Sequence, residues 1–429
     1  MRVAELAQRL RSLSGRADPY VTRGARPEYR KGMRLFWWYG ALISASSAFV
    51  DSYVTLYALS LGATGLQIGT LSSVSSLFST LGPIPGAQWA ARWGRKKPVV
   101  VVAYSVRELV LLAALLVPLI LFGQTLIAAV IALMALRSGL TSLATPAWTS
   151  FAADLVPTDR RGRYFSSRKT VMGFSSLLFV PLAGLVIEWV GWLTGYQAVI
   201  AISIVIGAAA VLMYAFIPEP ASQGAVRTRE RSTAVFVRSI TGNRAFLVFT
   251  LIALVFAFSQ QLGGPYFSVY EVQVLGATPR LIGILSTLSA IARMVGQQFW
   301  GRLVDRRGAR WVLAMCHLLI PVLPFIWFPL TEAWQLVFVT VPSGFLWAGH
   351  EIANFNMLLE LPKESEQTQA VASYHTLIGG ANILGPLVGG LVVERLGYLW
   401  NFGLSGVGRF IAALLLLWLL KPFRKPQVT

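Results

Sequence analysis

Thr278-Pro-Arg-Leu-Ile282-Gly283-Ile-Leu285-Ser286-Thr287, an apolar stretch, and then Gly301-Arg302-Leu-Val-Asp305-Arg306-Arg307-Gly308-Ala-Arg310-Trp311 repeat a segment found 214 residues earlier. The earlier copy opens Thr64-Gly-Leu-Gln-Ile68-Gly69-Thr-Leu71-Ser72-Ser73 and closes Ala91-Arg92-Trp93-Gly94-Arg95-Lys96-Lys97. Without a gap, Ile68, Gly69, Leu71, Ser72, Gly82, Arg92 and Gly94 fall on Ile282, Gly283, Leu285, Ser286, Gly296, Arg306 and Gly308. Each copy reads as helix, charged turn, helix. The two halves of the chain are therefore built to one plan.

Hydrophobic residues make up 55% of the 429 and charged residues only 13%. Mean hydropathy is +0.62. A soluble domain carries about a quarter charged residues, so this is an integral membrane protein. Apolar runs recur throughout, as at Val99–Phe122 and Phe410–Leu420, and each spanning helix needs ~20 residues. The expected fold is all-α: twelve transmembrane helices in two pseudo-symmetric six-helix bundles. The helices are placed at 35–58, 66–90, 98–121, 125–153, 170–189 and 196–217, then 245–268, 280–302, 311–329, 334–358, 370–394 and 398–420. The domains follow: a basic tail (1–34), an N-terminal bundle (35–217), a Pro- and Arg-containing linker (218–244), a C-terminal bundle (245–421) and a short tail (422–429). Duplication of this kind in an apolar chain marks secondary transporters.

The net charge of +19 invites comparison with nucleic-acid binders, but its distribution excludes them. Of 37 Lys and Arg, 31 fall in both tails, the linker and four alternate turns, including Arg92–Lys97, Arg160–Lys169 and Arg302–Arg310. This positive-inside bias places both termini in the cytoplasm and the chain in the cytoplasmic membrane. Val3, Leu6, Leu10 and Leu13 could line an interfacial helix; a disordered basic tail is the equal alternative. The single Cys316 cannot form an internal disulfide.

Gly301-x-x-x-Asp305-Arg306-x-Gly308-x-Arg310 and its looser counterpart at Arg92-x-Gly94-Arg95-Lys96 resemble the signature loop of the major facilitator superfamily. So do Asp154-Leu-Val-Pro157-x-x-Arg160-Arg161-Gly162-Arg163 and Ile217-Pro-Glu-Pro220. The resemblance covers essentially the whole chain. It implies two bundles rocking about a central site that opens alternately to each side of the membrane. Gly94, Arg95, Gly301, Asp305, Arg306 and Gly308 would then form a conformational latch. Only the second copy keeps the acid, since Ala91 aligns with Asp305 and Ala87 with Gly301. Val180-Pro181-Leu-Ala-Gly184 and Leu384-Gly385-Pro386-Leu-Val-Gly389-Gly390, 205 residues apart, resemble an exporter motif of that superfamily. Glycine and proline there let helices cross closely and bend.

A charge near the bilayer centre costs roughly 2.5–3.5 kcal/mol on insertion scales, so it faces a partner or a wet cavity. The candidates for proton coupling and the substrate cavity are Asp51, Arg107, Glu108, Arg137, Arg293, His350, Glu351, Asn354 and Arg409. Asp51 with Arg137 leads, because the resemblance puts the first and fourth helices on the cavity. A carboxylate that loses an arginine partner takes up a proton more readily. Their estimated depths differ by ~8 Å at 1.5 Å per residue, which leaves direct contact open. Glu351 matches Arg137 at the offset of 214 and could share a polar patch with Asn354. Arg107 and Glu108 are adjacent and are expected on different faces. His317 and His375 read as helix–helix hydrogen bonders. Trp148, Trp347, Tyr53, Tyr57, Tyr266 and Tyr270 either line the cavity or pack in the core.

The leading expectation is an alternating-access transporter exporting small amphipathic compounds against protons, as a monomer in the bilayer. Carriage of organic anions or polar metabolites through an arginine-lined cavity is the alternative, and a receptor or scramblase the third. No phosphate-binding GxxxxGK[ST] loop, metal cluster or Ser-His-acid grouping points to an enzyme, a cofactor or a metal.

Overall fold

The computed structural model describes Tyr20 and residues 27–219, 242–362 and 367–419. The interfacial-helix expectation, most of the linker and the C-terminal tail lie outside the described residues. We number twelve helical rods. α1 is Pro27–Val50, continued after a turn by Val54–Ser60; α2 is Gly65–Leu81, continued by Pro83–Trp93; α3 is Lys96–Leu116. α4 is Gly123–Leu155, α5 Arg161–Val190 and α6 Trp192–Ala215. α7 is Arg244–Gln273, α8 Pro279–Arg307 and α9 Ala309–Leu319, continued through Leu323–Ile326. α10 is Val337–Glu360, α11 Gln367–Leu396 and α12 Tyr398–Leu419. Ten stretches among the described residues are long and apolar enough to cross a membrane. The other two rods are α2, broken at Gly82–Pro83, and α8, which is rich in Ser, Gly, Gln and Arg.

Local chemistry sets the boundaries. Thr64 and Thr278 sit at equivalent helix starts, and each hydroxyl accepts a backbone N–H three residues on, satisfying one of the free donors of a first turn. Gly94 and Gly308 close the equivalent charged turns at φ +60° and +85°, where a side chain is strained. Two starts come earlier than expected: α1 at Pro27 rather than 35, and α5 at Arg161 rather than 170. The sequence reading leaves these basic residues outside the helices, yet arginine and lysine are good helix formers.

Three apolar clusters fill the interior. One draws on both halves, with Tyr53, Ile68 and Ile187 beside Tyr266, Ile282 and Val393. A second belongs to the C-terminal half and a third to the N-terminal half. The shared cluster lies at the end that carries the α1–α2, α5–α6 and α7–α8 connections. Here α2 crosses α11 and α5 crosses α8. A methyl group on Gly69 would overlap the Pro386 carbonyl, and one on Gly283 would stand 2.8 Å from Cα of Pro181. At the opposite end, which carries the basic turns, the halves part.

Candidate functional site

From their crossing at Pro181 and Gly283, α5 and α8 splay toward Ser166 and Gln297. The cleft between them holds about 750 Å³ and reaches Ser52 of α1, Glu271 of α7 and Thr340 of α10. It opens toward the basic end. Six serines and two threonines line it, against one aromatic ring, Phe174. Lys169 and Arg293 are balanced by Glu271 in the wall and by Glu351, the ion-pair partner of Arg293.

Two ion pairs occupy this region, one in each half. α1 is interrupted at residues 51–53, so Asp51 sits in a turn rather than on a helical face. Nη1 of Arg137, from α4, donates to its Oδ1 at 2.7 Å. The depth difference between the two positions is bridged by the length of the arginine and the break in α1. The partners are unequal: the Arg137 side chain is 9% exposed and Asp51 52%. Nε of Arg137 has no protein acceptor among the described residues. In the other half Arg293 of α8 donates to Glu351 of α10, both being partly exposed. Asn354 does not join Glu351; it exchanges hydrogen bonds with the Tyr374 hydroxyl of α11 at 3.1 and 3.2 Å.

The remaining deep charges are inside the bundles. Arg107 and Glu108 are buried and bonded to one another, Nε to Oε1 at 3.0 Å. The expectation that neighbours on a helix cannot pair fails here. Both chains fold back within α3, with Arg107 over the Tyr104 ring at 4.9 Å and Gly207 leaving room for the carboxylate. Arg409 is buried in the C-terminal half and donates to Ser405 at 2.8 Å. His317 is not a helix–helix hydrogen bonder: neither ring nitrogen has a protein partner among the described residues. His350 packs against Phe256, and His375 edges onto Tyr374.

Arg168 was hidden in the basic run Arg160–Lys169. Because α5 begins at Arg161, it turns inward and is 5% exposed. Its guanidinium lies 4.6 Å from the Phe36 ring and 5.2 Å from Trp148, and Nε donates to the Phe36 carbonyl at 3.2 Å. Gly40 leaves the space it fills. A run of basic residues carries no signal for which one is buried. Of the two alternatives for the aromatic residues, most of them follow core packing. Tyr53, Tyr57, Tyr266 and Tyr270 are buried in the shared core, Trp148 rests on Arg168, and Trp347 packs edge-on against His350.

At the basic rim the halves differ. Lys96 donates from Nζ to Asp154 at 2.5 Å, and the backbone N–H groups of Lys96 and Lys97 donate to Oε1 of Glu219 at 3.1 and 3.2 Å. Two acids thus close the first turn of α3, where a helix favours negative charge. In the second copy Asp305 and Arg306 make no hydrogen bond or ion pair among the described residues, and Gly301 has open space around it. The N-terminal rim, where Ala91 stands in place of the acid, is tied by acids from elsewhere in the chain.

The helix-crossing residues lie where the halves meet or where α11 packs on α7. Gly184 faces the Pro279 carbonyl and Tyr53, Gly390 faces Tyr266 and Leu66, and Gly385 and Gly389 face Gln261 and Leu262.

Comparison with known proteins agrees with this architecture. The sequence matches the Major Facilitator Superfamily over residues 36–278 and 249–429. A multi-drug resistance efflux pump PmrA homolog of Lactococcus lactis is 22% identical over 415 residues, covering 94% of this chain and 98% of that protein. A putative sugar efflux transporter of Deinococcus radiodurans is 26% identical over 184 residues, 41% of this chain and 46% of that one. Among solved structures, a mutant of the nucleoside transporter NupG superposes with a TM-score of 0.74 at 14% identity, over 90% of this chain and 100% of that one. A bacterial homolog of the human lysosomal transporter Spinster, inward-facing and occupied, gives 0.67 at 15% identity over 92% and 97%. The duplicated six-helix halves, the central cleft and the family match lead to one conclusion: this chain belongs to the Major Facilitator Superfamily and is a multi-pass membrane transporter of a small-molecule solute.

Proposed function

We propose that the chain exports a small amphipathic solute, uncharged overall, in exchange for protons. The observation that carries this reading is the Asp51–Arg137 pair, set in a break of α1 beside the cleft, with the acid open and the base buried. A proton on Asp51 ends the attraction to Arg137 and removes a tie between α1 and α4. The basic turns assign the open end to the cytoplasm, with both termini there, so the conformation is inward-facing. The hydroxyl-rich wall suits a solute with several hydrogen-bonding groups, and the apolar residues Leu177, Ile282 and Leu285 suit its carbon skeleton. Organic anions fit less well, since Arg293 in the cleft wall and Arg137 beside it are each paired with a carboxylate, and Glu271 adds a negative charge to the lining that holds Lys169. The full-length relative named as an efflux pump is in keeping with export.

The test is flux from proteoliposomes under an imposed pH gradient, with a neutral glycoside, a lipophilic cation and a dicarboxylate as probes. The expected result is gradient-driven movement of the neutral probe that falls at least tenfold in Asp51→Asn. Movement unaffected by both the gradient and the substitution would overturn the coupling role. Transport of the dicarboxylate alone would overturn the solute class.

A further inference from the structure

At the closed end, beside the crossing of α5 and α8, lies a groove that shares no residue with the cleft. Gly184 of α5 packs against the Pro279 carbonyl at the start of α8, so the last turns of α5 and the first turn of α8 run side by side. The hollow between them holds about 610 Å³ and is lined by Leu182, Leu185, Val186, Glu188 and Trp189 of α5 and by Arg280 of α8. Each half of the molecule contributes to it.

The groove faces the bilayer. Leu178, Leu182, Leu185 and Trp189 recur at helical spacing along α5, and all four are exposed, Trp189 at 89%. Apolar side chains left open on a spanning helix meet acyl chains. From Leu178 to Trp189 the stripe runs ~16 Å at 1.5 Å per residue. That is about the depth of one leaflet, half of a roughly 30 Å hydrocarbon core. Trp189 then stands at headgroup level, where tryptophan concentrates, and Glu188 and Arg280 share that level with it.

The two charges are not used by the protein. Neither the Glu188 carboxylate nor the Arg280 guanidinium makes a hydrogen bond or ion pair among the described residues, with the other or with anything else. The carboxylate only accepts and the guanidinium only donates, so one groove presents an unmet acceptor beside an unmet donor. A lipid head that satisfies both carries a phosphate and a primary ammonium. A choline head has no N–H to give the carboxylate, and an anionic head sets like charge against Glu188.

We propose that this groove binds a phospholipid with an ethanolamine head, its phosphate on Arg280, its ammonium on Glu188 and an acyl chain along Leu182 and Leu185. Both polar contacts are charge-assisted hydrogen bonds. Because α5 belongs to one half and α8 to the other, the lipid bridges the halves and favours the conformation with this end shut. On the orientation proposed above the lipid belongs to the outer leaflet; its binding depends neither on the solute nor on proton coupling.

The experiment places the purified full-length protein in nanodiscs of phosphatidylcholine doped with phosphatidylethanolamine or phosphatidylglycerol, and counts the retained lipid by native mass spectrometry. The wild type should retain phosphatidylethanolamine over the other two by roughly tenfold. Glu188→Ala should bring phosphatidylethanolamine and phosphatidylcholine to parity, and Arg280→Gln should weaken retention of all three. Both side chains are exposed, so the variants keep the fold. Spin labels across the α5–α8 crossing give a second readout: phosphatidylethanolamine should shift the distances toward the closed form in the wild type and not in Glu188→Ala. Equal retention of the three lipids by the wild type overturns the proposal, as does a preference for phosphatidylglycerol. A phosphatidylethanolamine preference unchanged in both variants also overturns it, by placing the lipid elsewhere.

Discussion

Tyr53 and Tyr266 stand 213 residues apart in sequence and in equivalent places in the fold. The Tyr53 hydroxyl donates to the Val180 carbonyl at 2.8 Å, where α5 crosses α8; that of Tyr266 donates to the Pro386 carbonyl at 2.5 Å, where α11 crosses α2. Each hydroxyl also lies against a glycine of the opposite half, Gly283 for Tyr53 and Gly69 for Tyr266. Each crossing thus carries the same tyrosine–glycine–proline arrangement, with the hydroxyl bonded inside its own half and packed on the other; Tyr53 also reaches the Pro279 carbonyl of the other half at 3.4 Å.

Replacing either tyrosine by phenylalanine removes a buried hydrogen bond worth about 1 kcal/mol. Tyr53→Phe and Tyr266→Phe should each lower Tm by a few degrees and raise the population opened at this end. The double variant should go further than either alone. Spin-label distances between the two halves measure the shift; no change in their distribution would mean that the hydroxyls only serve packing.

Gly69→Ala places a methyl group into the Tyr266 hydroxyl and the Pro386 carbonyl, whereas Gly301→Ala meets no atom within 4 Å. The first should wedge the closed end apart and expose cysteines introduced there to labelling. The second should leave the conformation unchanged and gain roughly 0.5–1 kcal/mol as a helical Gly-to-Ala exchange. Equal labelling of the two variants would contradict the crossing geometry.

Asp51→Asn strands the buried Arg137, while Arg137→Gln leaves a carboxylate that is already 52% exposed. Removing the partner of a buried charge is the costlier change. Asp51→Asn should therefore lower Tm more than Arg137→Gln, although both should abolish proton-driven flux. The reverse order of stability would place the buried member of the pair wrongly.

Glu219→Gln and Asp154→Asn should each destabilise the start of α3 by about 1 kcal/mol. Solute affinity should be unchanged, because neither residue reaches the cleft. Hydrogen exchange at the amides of Lys96 and Lys97 reports the effect directly: faster exchange in Glu219→Gln is expected, with the cleft-lining helices unaffected.

The fold was readable because duplication, apolar length and charge asymmetry are periodic properties of the chain. Asp51, Arg137, Arg293 and Glu351 were readable as costly charges in apolar helices, and the structure brings them together in two pairs. Other features depend on where a helix begins. Arg168 became a core residue only because α5 starts at Arg161, and Glu219 became a cap only because its chain returns beside the α2–α3 turn. Whether the tyrosines line a cavity or pack in the core is undecided by sequence for a related reason: an aromatic residue near a helix end packs equally well against lipid, solute or a second helix, and its sequence neighbours do not distinguish these.

The distribution of the three apolar clusters separates two kinds of strength in this molecule. The clusters confined to one half hold each bundle together; under the alternating access proposed above, they need not change, whereas the shared one would be dismantled in every cycle. Softening a private cluster should then shorten the protein's lifetime without altering turnover, while a change at the shared seam should alter turnover without loosening either bundle. Because opening that seam wets apolar surface, it raises the heat capacity of the chain. The temperature dependence of transport, rather than its rate at one temperature, therefore carries the imprint of the seam.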